Sequence, residues 1–467
     1  MTSAPVVTYA RRLGPFSATM VVIGGIIGSG IFLNPSIVAQ RVGTPELTLG
    51  AWVLGGLIAA AGAFCYAELG HRRPRAGGQY VYLRDTFGPL TAFLYGWALL
   101  LVISTGATAA VAVTFARYAA PFLGLTDAAT KPLAIGAIAA LTAVNYVGVK
   151  PGAVTQNVFT VLKLAALAAL IVLGLFVAPS FIAAGGVGAS TGLAPALVGG
   201  VAPLLAPVLP SPEGLGPIVV AVGIALVPIL FAYGGWQQSN FVAEEMVDAE
   251  RVLPRALLMG TAAVILVYVL ANVAYVRVLG VGGLAASSAP AADVMGAALG
   301  PAGRRLISAG IAASTFGFLN LVILVSPRVY QAMAADGVFF PAMARLHPRY
   351  RTPTIAIVFQ GAWATLLVLS GTYGQLLDYV VFGDWIFFGL SVATLFVYRR
   401  REGAPERFRT PFYPVLPALF VLAALYVVAS SVASNSKNAA IGAGLIALGV
   451  PVFAFWRRRA LGPDSRS

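Results

Sequence analysis

Apolar stretches long enough to cross a lipid bilayer follow one another along almost the whole of this 467-residue chain. A spanning helix needs about 20 mostly apolar residues, and the run at 165–176 contains no polar side chain. Strands of a membrane β-barrel would instead alternate between apolar and polar side chains. Only 10% of the residues are charged, against about 25% in soluble proteins. The sequence therefore predicts an all-α, multi-pass integral membrane protein of the cytoplasmic (cell) membrane.

The apolar runs predict about twelve transmembrane helices. Their limits are 15–40, 47–70, 88–116, 132–150, 155–178, 218–246, 254–279, 299–332, 353–370, 373–399, 413–432 and 438–458. The segment 179–217 is also apolar, but it is dense in Gly and Pro. A span there would place the arginine-rich loops outside, so we interpret it as an extracellular connection.

Basic residues are distributed unequally between the two sides of this topology. With a cytoplasmic N-terminus, 22 of the 30 Lys and Arg residues lie in cytoplasmic segments and seven in extracellular ones, as the positive-inside rule requires. The remaining one, Lys163, lies within a span. Both termini are therefore predicted to be cytoplasmic. The net charge of +14 follows from membrane topology and not from binding to nucleic acid.

Two of the predicted spans are interrupted by glycines near their middles. The first carries the run GGIIGSGIF at 24–32, and the sixth carries FAYGGW at 231–236. A glycine destabilises a helix interior by about 1 kcal/mol relative to alanine, and two broken helices in corresponding halves indicate a transporter binding site. The alternative explanation is that these glycines allow close packing between helices.

Broken helices suit one class of ligand. Their unpaired N–H and C=O groups are tolerated in a membrane only where they face a cavity or a ligand. Free N–H groups at the start of a half-helix attract a carboxylate, and free carbonyls attract an ammonium group. A site with both fits the zwitterion of an α-amino acid. The partners we expect are therefore an amino acid substrate and the lipid bilayer.

These motifs resemble those of the amino acid–polyamine–organocation superfamily. The run at 24–32 is similar to the first-helix motif of that family, and CYAELG at 65–70 with GGQY at 77–80 is similar to its second span and following loop. The runs at 231–236 and 240–246 resemble the sixth span of the L-type amino acid transporter branch. The resemblance covers the first ten spans well and the last two only by position.

The resemblance implies a LeuT-type fold of two inverted five-helix repeats and two further C-terminal helices. The corresponding divisions are a cytoplasmic tail at 1–14, a first repeat at 15–178, the extracellular connection at 179–217, a second repeat at 218–399, two spans at 400–459 and a cytoplasmic tail at 460–467. Animal members of this branch pair with a heavy chain through an extracellular cysteine between spans three and four. This chain has no cysteine there, so no disulfide-linked heavy chain is expected.

The resemblance also implies how the substrate carboxylate is bound. The backbone of Gly28, Ser29 and Gly30, together with the Ser29 hydroxyl, would hold it. We expect transport by alternating access, in which one helical bundle rocks against the rest around a fixed central site.

The other end of the zwitterion is assigned in the same way. The resemblance implies that the carbonyls of Ile26, Phe231 and Gly234 receive the ammonium group. The Phe231 ring would close over the substrate. Gly234 and Gly235 would leave space for its side chain.

Lys163 is a cation within a predicted span. A charge at that depth costs at least about 2.5–3.5 kcal/mol on insertion scales, so we expect it to face the protein interior, unless it snorkels to the surface. The resemblance places such a lysine where sodium-coupled relatives bind sodium, near Ser314 and Thr315. Its ammonium group would replace the ion, which predicts transport without sodium.

Asp384 lies in the hydrophobic part of the tenth predicted span, directly after Gly383. Relatives that carry large neutral amino acids tend to have an amide in this neighbourhood, beside the substrate. A carboxylate there could accept a proton or attract a cationic substrate. The alternative is that Asp384 caps a helix that restarts after Gly383. We expect it to lie near the substrate, because an idle charge in a span is costly.

Other classes of protein fit the sequence less well. A membrane-embedded enzyme would need a nucleophile with its base or a metal cluster, but the only histidines, His71 and His347, lie in basic loops. Without a metalloprotease or Walker motif, we expect no enzymatic activity, cofactor or metal. A channel would not need a zwitterion-shaped site. Among carriers, neutral or cationic amino acids and polyamines stay open as substrates, as do exchange and proton symport.

Overall fold

The computed structural model describes residues 7–178, 214–371, 373–434 and 436–460, which are helical apart from short connections. The first part contains α1 (Pro15–Ile26), α2 (Gly30–Val42), α3 (Pro45–Arg72), α4 (Gln79–Phe87), α5 (Pro89–Ala98), α6 (Ser104–Ala119), α7 (Thr130–Tyr146) and α8 (Val149–Val172). The second part contains α9 (Leu215–Tyr233), α10 (Ala249–Ala286), α11 (Pro290–Val325), α12 (Pro327–Ala335), α13 (Thr354–Ser370), α14 (Tyr373–Glu402), α15 (Val415–Ser434), α16 (Ser436–Ala447) and α17 (Gly449–Ala460).

Nine helical segments of the described ranges are long and apolar enough to cross a membrane. They coincide with predicted spans one to three, five to eight, eleven and twelve, and α13 is a shorter apolar helix at the ninth. The all-helical class is therefore confirmed, whereas the count of about twelve spans stays a prediction. The predicted connection at 179–217 lies almost entirely outside the described residues.

Helix α4 forms where the sequence analysis predicts only a loop. Its Tyr80 and Tyr82 are fully buried, and the Tyr82 hydroxyl donates to Oδ1 of Asn240 at 2.9 Å. Gly77 and Gly78 turn the chain into this helix with φ of 94° and 44°. A helix of this length is marginal alone, so it depends on packing against other elements, which no local pattern reveals.

Both glycine-rich interruptions lie where the sequence predicts them. Residues 27–29 separate α1 from α2, and Gly234 and Gly235 separate α9 from a 3₁₀ helix at Trp236–Glu245. The two breaks touch each other, because a Cβ atom on Gly235 would lie 2.1 Å from the carbonyl oxygen of Gly25. Gly235 also has φ of 107°. Only glycine accommodates this conformation and this close approach.

The N-terminal tail contacts the end of the second broken helix, on the side that bears the predicted cytoplasmic loops. The backbone N–H groups of Arg12 and Leu13 donate to the carbonyl of Glu245 at 2.8 and 3.0 Å. The Glu245 carboxylate is fully buried and pairs with Arg328 of α12, at 2.7 Å from Nε. These contacts join the tail and the end of the 3₁₀ helix to α12.

Candidate substrate site

A cavity lies at the level of the two breaks. It holds about 770 Å³ of atom-free space, and its walls come from both broken helices and from α6, α11 and α14. All eight residues that the sequence predicts for substrate binding line it, namely Ile26, Gly28, Ser29, Gly30, Phe231, Gly234, Gly235 and Asp384. Lys163, Ser314 and Thr315 are not among its lining residues.

The N-terminus of α2 supplies hydrogen-bond donors to this cavity. The first N–H groups of any helix have no acceptor within the helix, and the helix dipole makes this end electropositive. Ser29 occupies the N-cap position, but its hydroxyl makes no capping hydrogen bond. The hydroxyl and the neighbouring N–H groups therefore form a surface that suits an anion such as a carboxylate.

Two glycines of this turn have different neighbours. A Cβ on Gly30 would lie 2.8 Å from the Cβ of Ala232 in α9. Because Gly30 has no side chain, the two broken helices can contact each other there. A Cβ on Gly28 would meet only the Phe318 ring, at 3.5 Å. Of these two, only Gly28 has room for a methyl group at ordinary contact distance.

The C-terminus of α9 supplies acceptors. The last carbonyls of a helix lack partners within it, but some of those near the breaks are already engaged. The Phe231 carbonyl accepts the N–H of Gly234 at 3.3 Å. The Ile26 carbonyl accepts both the N–H of Gly28 at 3.0 Å and the Tyr268 hydroxyl at 3.1 Å. Ile26 therefore has less capacity for an ammonium group than the sequence analysis expects.

Tyr268 of α10 links the two breaks and was not predicted. Its hydroxyl lies 3.1 Å from the carbonyl oxygen of Ile26 and 3.2 Å from that of Ala232. The side chain is fully buried. A buried tyrosine generally needs a partner for its hydroxyl, so a tyrosine within an apolar span is a signal that could have pointed to it.

The expectation for Gly234 and Gly235 holds for one of them only. The space beside Gly235 is filled by the backbone of Gly25, so it is not available to a substrate side chain. A Cβ on Gly234 would meet only carbonyl oxygens of its own preceding turn, at 3.3 and 3.4 Å. Gly234 is thus the position at which a missing side chain leaves room in the cavity.

Lys163 reaches the first break from α8 and does not line the cavity. Its side chain is fully buried, and Nζ donates to the carbonyls of Gly24 at 3.1 Å and of Ile27 at 2.6 Å. The snorkelling alternative is therefore wrong. Ser314 of α11 reaches the same place, where its hydroxyl donates to the carbonyl of Gly28 at 3.2 Å. The Lys163 ammonium group and the Ser314 hydroxyl thus supply hydrogen bonds to the carbonyls of this break.

Thr315 has a different position from its neighbour. Its hydroxyl donates to the carbonyls of Ile311 at 2.8 Å and Ala312 at 3.0 Å, within α11. The structure therefore brings Lys163 and Ser314 together on the first break, whereas the Thr315 hydroxyl is engaged by its own helix.

Asp384 lies inside a continuous helix. Helix α14 runs from Tyr373 to Glu402 through Gly383, so the alternative of a helix cap after Gly383 is wrong. The half-buried carboxylate lines the cavity beside Trp385. Within the described residues, no lysine or arginine forms an ion pair with it.

The cavity wall at the start of α6 could not be predicted, because the local sequence has no motif that marks it. The chain makes a π-helical turn at Leu99–Ile103, between α5 and α6, and both Ile103 and Ser104 line the cavity. The hydroxyls of Ser104 and Ser326 lie 2.8 Å apart, which joins this wall to the end of α11. Turns of this kind are frequent at functional sites.

Comparison with known proteins identifies the family of this chain. A family profile described as "Amino acid permease" matches residues 13–455. The chain belongs to this family. This permease is similar to the serine/threonine exchanger SteT of Bacillus subtilis (strain 168), with 30% identity over 453 residues that cover 96% of this chain and 97% of the relative.

Two human proteins are also similar to this permease, each at 32% identity. The large neutral amino acids transporter small subunit 2 is 32% identical over 461 residues, 97% of this chain and 82% of the relative. The b(0,+)-type amino acid transporter 1 is 32% identical over 430 residues, 91% and 83% of the two chains. The predicted superfamily and L-type branch are confirmed, and the permease is a multi-pass transporter of the cell membrane and not an enzyme.

Proposed function

We propose that this permease is a sodium-independent amino acid carrier that works by alternating access and binds the substrate zwitterion between its two broken helices. The observation that carries the proposal is that both breaks open into one cavity. One break contributes a helix N-terminus and the other a helix C-terminus, so donors and acceptors face the same space. A ligand with a carboxylate and an ammonium group close together satisfies both.

The substrate groups have separate contacts in this proposal. Its carboxylate binds the N–H groups of Ser29 and Gly30 and the Ser29 hydroxyl, and Gly28 keeps the approach open. Its ammonium group binds the carbonyls of Gly234 and Phe231 first, because the Ile26 carbonyl already has two donors. The Phe231 ring covers the bound substrate.

Independence from sodium rests on Lys163. The Nζ atom of Lys163 and the hydroxyl of Ser314 together contact the carbonyls of Gly24, Ile27 and Gly28. Because the Lys163 ammonium group already contacts these carbonyl oxygens, they do not need a bound sodium ion. Thr315 has no direct part in this arrangement.

The proposed topology follows the LeuT-type pattern. Residues 15–178 and 218–399 form two inverted repeats, 400–459 adds two helices, and the tails at 1–14 and 460–467 are cytoplasmic. In this topology, the contacts of Arg12 and Leu13 with Glu245 close the cytoplasmic side, and release of substrate inward requires them to open. The carrier works without a disulfide-linked heavy chain, since its one cysteine, Cys65, is buried.

The substrates are amino acids with uncharged side chains in the first instance. The names of the similar proteins include serine, threonine and large neutral amino acids, and the room beside Gly234 suits a side chain. A cationic amino acid or a polyamine is the second candidate, because the Asp384 carboxylate lines the cavity. Exchange and proton symport are both compatible with this site.

Uptake into liposomes that contain the purified protein tests the proposal. We expect saturable, stereoselective flux of at least one neutral amino acid, unchanged when choline replaces sodium at constant pH. A preload of unlabelled substrate that accelerates uptake would identify exchange. Flux that never saturates, or that disappears without sodium, would contradict the proposed carrier.

A further inference from the structure

A second cavity opens on the predicted cytoplasmic side, away from the substrate site. Four cations from three elements line it: Arg12 of the N-terminal tail, Lys150 in the first turn of α8, and Arg349 and Arg351 of the loop before α13. We call these four residues and the space between them the basic cleft. Its walls contain no acidic side chain among the described residues.

Among the residues that the structure describes, the four cations of the basic cleft have no carboxylate counter-ion. Within the described residues, none of the four takes part in an ion pair, whereas carboxylates pair with the following arginines: Arg72, Arg73, Arg84, Arg251, Arg328 and Arg399. Like charges that converge without a counter-ion repel one another. A cavity lined by one sign of charge also concentrates ions of the opposite sign. The basic cleft therefore has the electrostatics of an anion site.

The loop that carries two of the cations is held in place. The Nδ1 atom of His347 accepts the N–H of Arg349 at 3.2 Å, and the His347 carbonyl accepts the N–H of Arg351 at 2.8 Å. The Thr352 hydroxyl donates to the Tyr146 carbonyl at the end of α7, at 3.0 Å. The two guanidinium groups are thus carried by a loop that is already ordered, which lowers the entropy cost of binding.

The start of α8 adds backbone donors to the same cavity. Gly148, Val149 and Lys150 line the cleft, and the first turn of α8 contains no acidic residue. The N–H groups of a first helical turn lack acceptors within the helix. With four cations around them they suit a tetrahedral oxyanion, which accepts several hydrogen bonds at once.

We propose that the basic cleft binds a phosphate group, carried either by the headgroup of an anionic lipid or as inorganic phosphate. Its occupancy affects the closure of the cytoplasmic side, because Arg12 lies on the tail whose N–H groups bind the Glu245 carbonyl. A phosphate bridging Arg12 to Lys150 and Arg351 holds that tail against α8 and the ordered loop. The site goes beyond the proposed transport function and relies only on its cytoplasmic topology.

Thermal unfolding of the purified full chain in detergent tests this site without any transport assay. The melting temperature is followed during titration with phosphatidylglycerol, with phosphatidylcholine as the uncharged comparison, and separately with phosphate against chloride at equal ionic strength. A bound ligand raises the melting temperature by an amount set by its concentration relative to Kd. We expect phosphatidylglycerol or phosphate to stabilise the wild type more than its comparison does.

Two matched double variants assign the effect to the cleft. Arg349→Gln/Arg351→Gln should weaken the apparent affinity about 30-fold, from the usual contribution of each cation near an anionic headgroup. Arg407→Gln/Arg458→Gln removes the same charge from exposed positions outside the cleft and should keep the wild-type affinity. If the loop variant does not fold, Lys150→Gln on α8 should still weaken binding about 5-fold.

The titration with phosphatidylglycerol and the titration with inorganic phosphate distinguish the source of the phosphate group. A cleft-dependent response to phosphatidylglycerol alone identifies a lipid headgroup, and one to inorganic phosphate identifies a soluble anion. Either result supports the site, even if transport of amino acids is not observed. Equal losses in the cleft variant and the control variant, or no response beyond phosphatidylcholine and chloride, would overturn it.

Discussion

The two helix breaks are both rich in glycine, but other side chains support them differently. At the first break, Lys163 and Ser314 come from other helices and engage the carbonyls of residues 24, 27 and 28. At the second break, the support is uncharged: Oε1 of Gln237 accepts the N–H of Gly235 at 2.9 Å, and the Tyr268 hydroxyl binds the carbonyl of Ala232.

In the proposed site, this difference separates the contacts for the two charges of the substrate. A fixed cation at the first break occupies its carbonyls and leaves its N–H groups for an anion. At the second break no charged side chain engages the carbonyls in the described residues, so carbonyls there remain for an ammonium group. Substitutions at each break test this division of roles.

The largest loss of uptake is expected when Lys163, the cation that contacts the first break, is replaced. Lys163→Met keeps an unbranched side chain, one heavy atom shorter, but leaves the carbonyls of Gly24 and Ile27 without their donor. Two buried carbonyls left unpaired cost about 3 kcal/mol, which should lower the rate of uptake about 100-fold or more. Lys437→Met, at an exposed position, is the control and should transport normally. Normal uptake by Lys163→Met would mean that the break is stable without the cation.

The breaks themselves were predictable, because glycine marks them directly in the sequence. The runs at 24–32 and 231–236 combine glycine with otherwise apolar spans, and both interruptions occur there. Lys163 could likewise be assigned to the interior, since a charge at that depth is costly on the lipid-facing side. Its partners depend on how α8 crosses α1, and that is a tertiary property.

The contact between the breaks can be tested with neighbouring glycines. Gly235→Ala places a methyl group 2.1 Å from the Gly25 carbonyl oxygen, at φ of 107°. Overpacking of this kind costs about 1–3 kcal/mol and the left-handed backbone adds about 1–2 kcal/mol, so we expect a lower melting temperature and little uptake.

Gly234→Ala is the matched variant one residue earlier. Gly234 has φ of −67° and ψ of 163°, which alanine adopts freely, and the added methyl group meets only carbonyls of its own turn. Because these contacts of 3.3 and 3.4 Å are slightly tight, we expect a small fall in the melting temperature, well below that of Gly235→Ala, and a shift of selectivity toward smaller side chains, measured by competition among amino acids. Equal damage by the two variants would show that contact between the breaks is not what requires Gly235.

A tyrosine within an apolar span signals that its hydroxyl has a partner, but the local sequence does not show which partner, so the support at the second break could not be assigned from it. Tyr268 lies in a long apolar span of α10 with no motif around it. Ser104 and the π-helical turn before it form the opposite wall without any glycine or proline to mark them. Such residues become functional only when distant helices meet, which is why the breaks were predicted and much of their surroundings was not.

A smaller loss of uptake is expected when the Tyr268 hydroxyl, which contacts both breaks, is removed. Tyr268→Phe removes hydrogen bonds to the carbonyls of Ile26 and Ala232 and keeps the ring. A typical hydrogen bond contributes about 1 kcal/mol net, so uptake should fall about fivefold. Tyr275→Phe on the same helix loses only its bond to the Ile31 carbonyl, inside α2, and should fall less. Equal losses in initial uptake rate would argue that the link between the breaks has no special role.

The smallest effect on neutral substrates is expected at Asp384, the carboxylate of the cavity wall. If the carbonyls of the second break bind the ammonium group on their own, Asp384→Asn should leave neutral amino acid uptake almost unchanged. A cationic side chain would lose an attraction of about 1 kcal/mol, or about fivefold in affinity. Initial rates for leucine, serine, arginine and lysine across a range of pH measure both effects, with the exposed Glu46→Gln as control. Loss of pH dependence with neutral exchange retained would instead assign Asp384 to proton coupling. An equal loss for neutral and cationic substrates would mean that the carboxylate itself binds the ammonium group, and the division of roles between the two breaks would then be wrong.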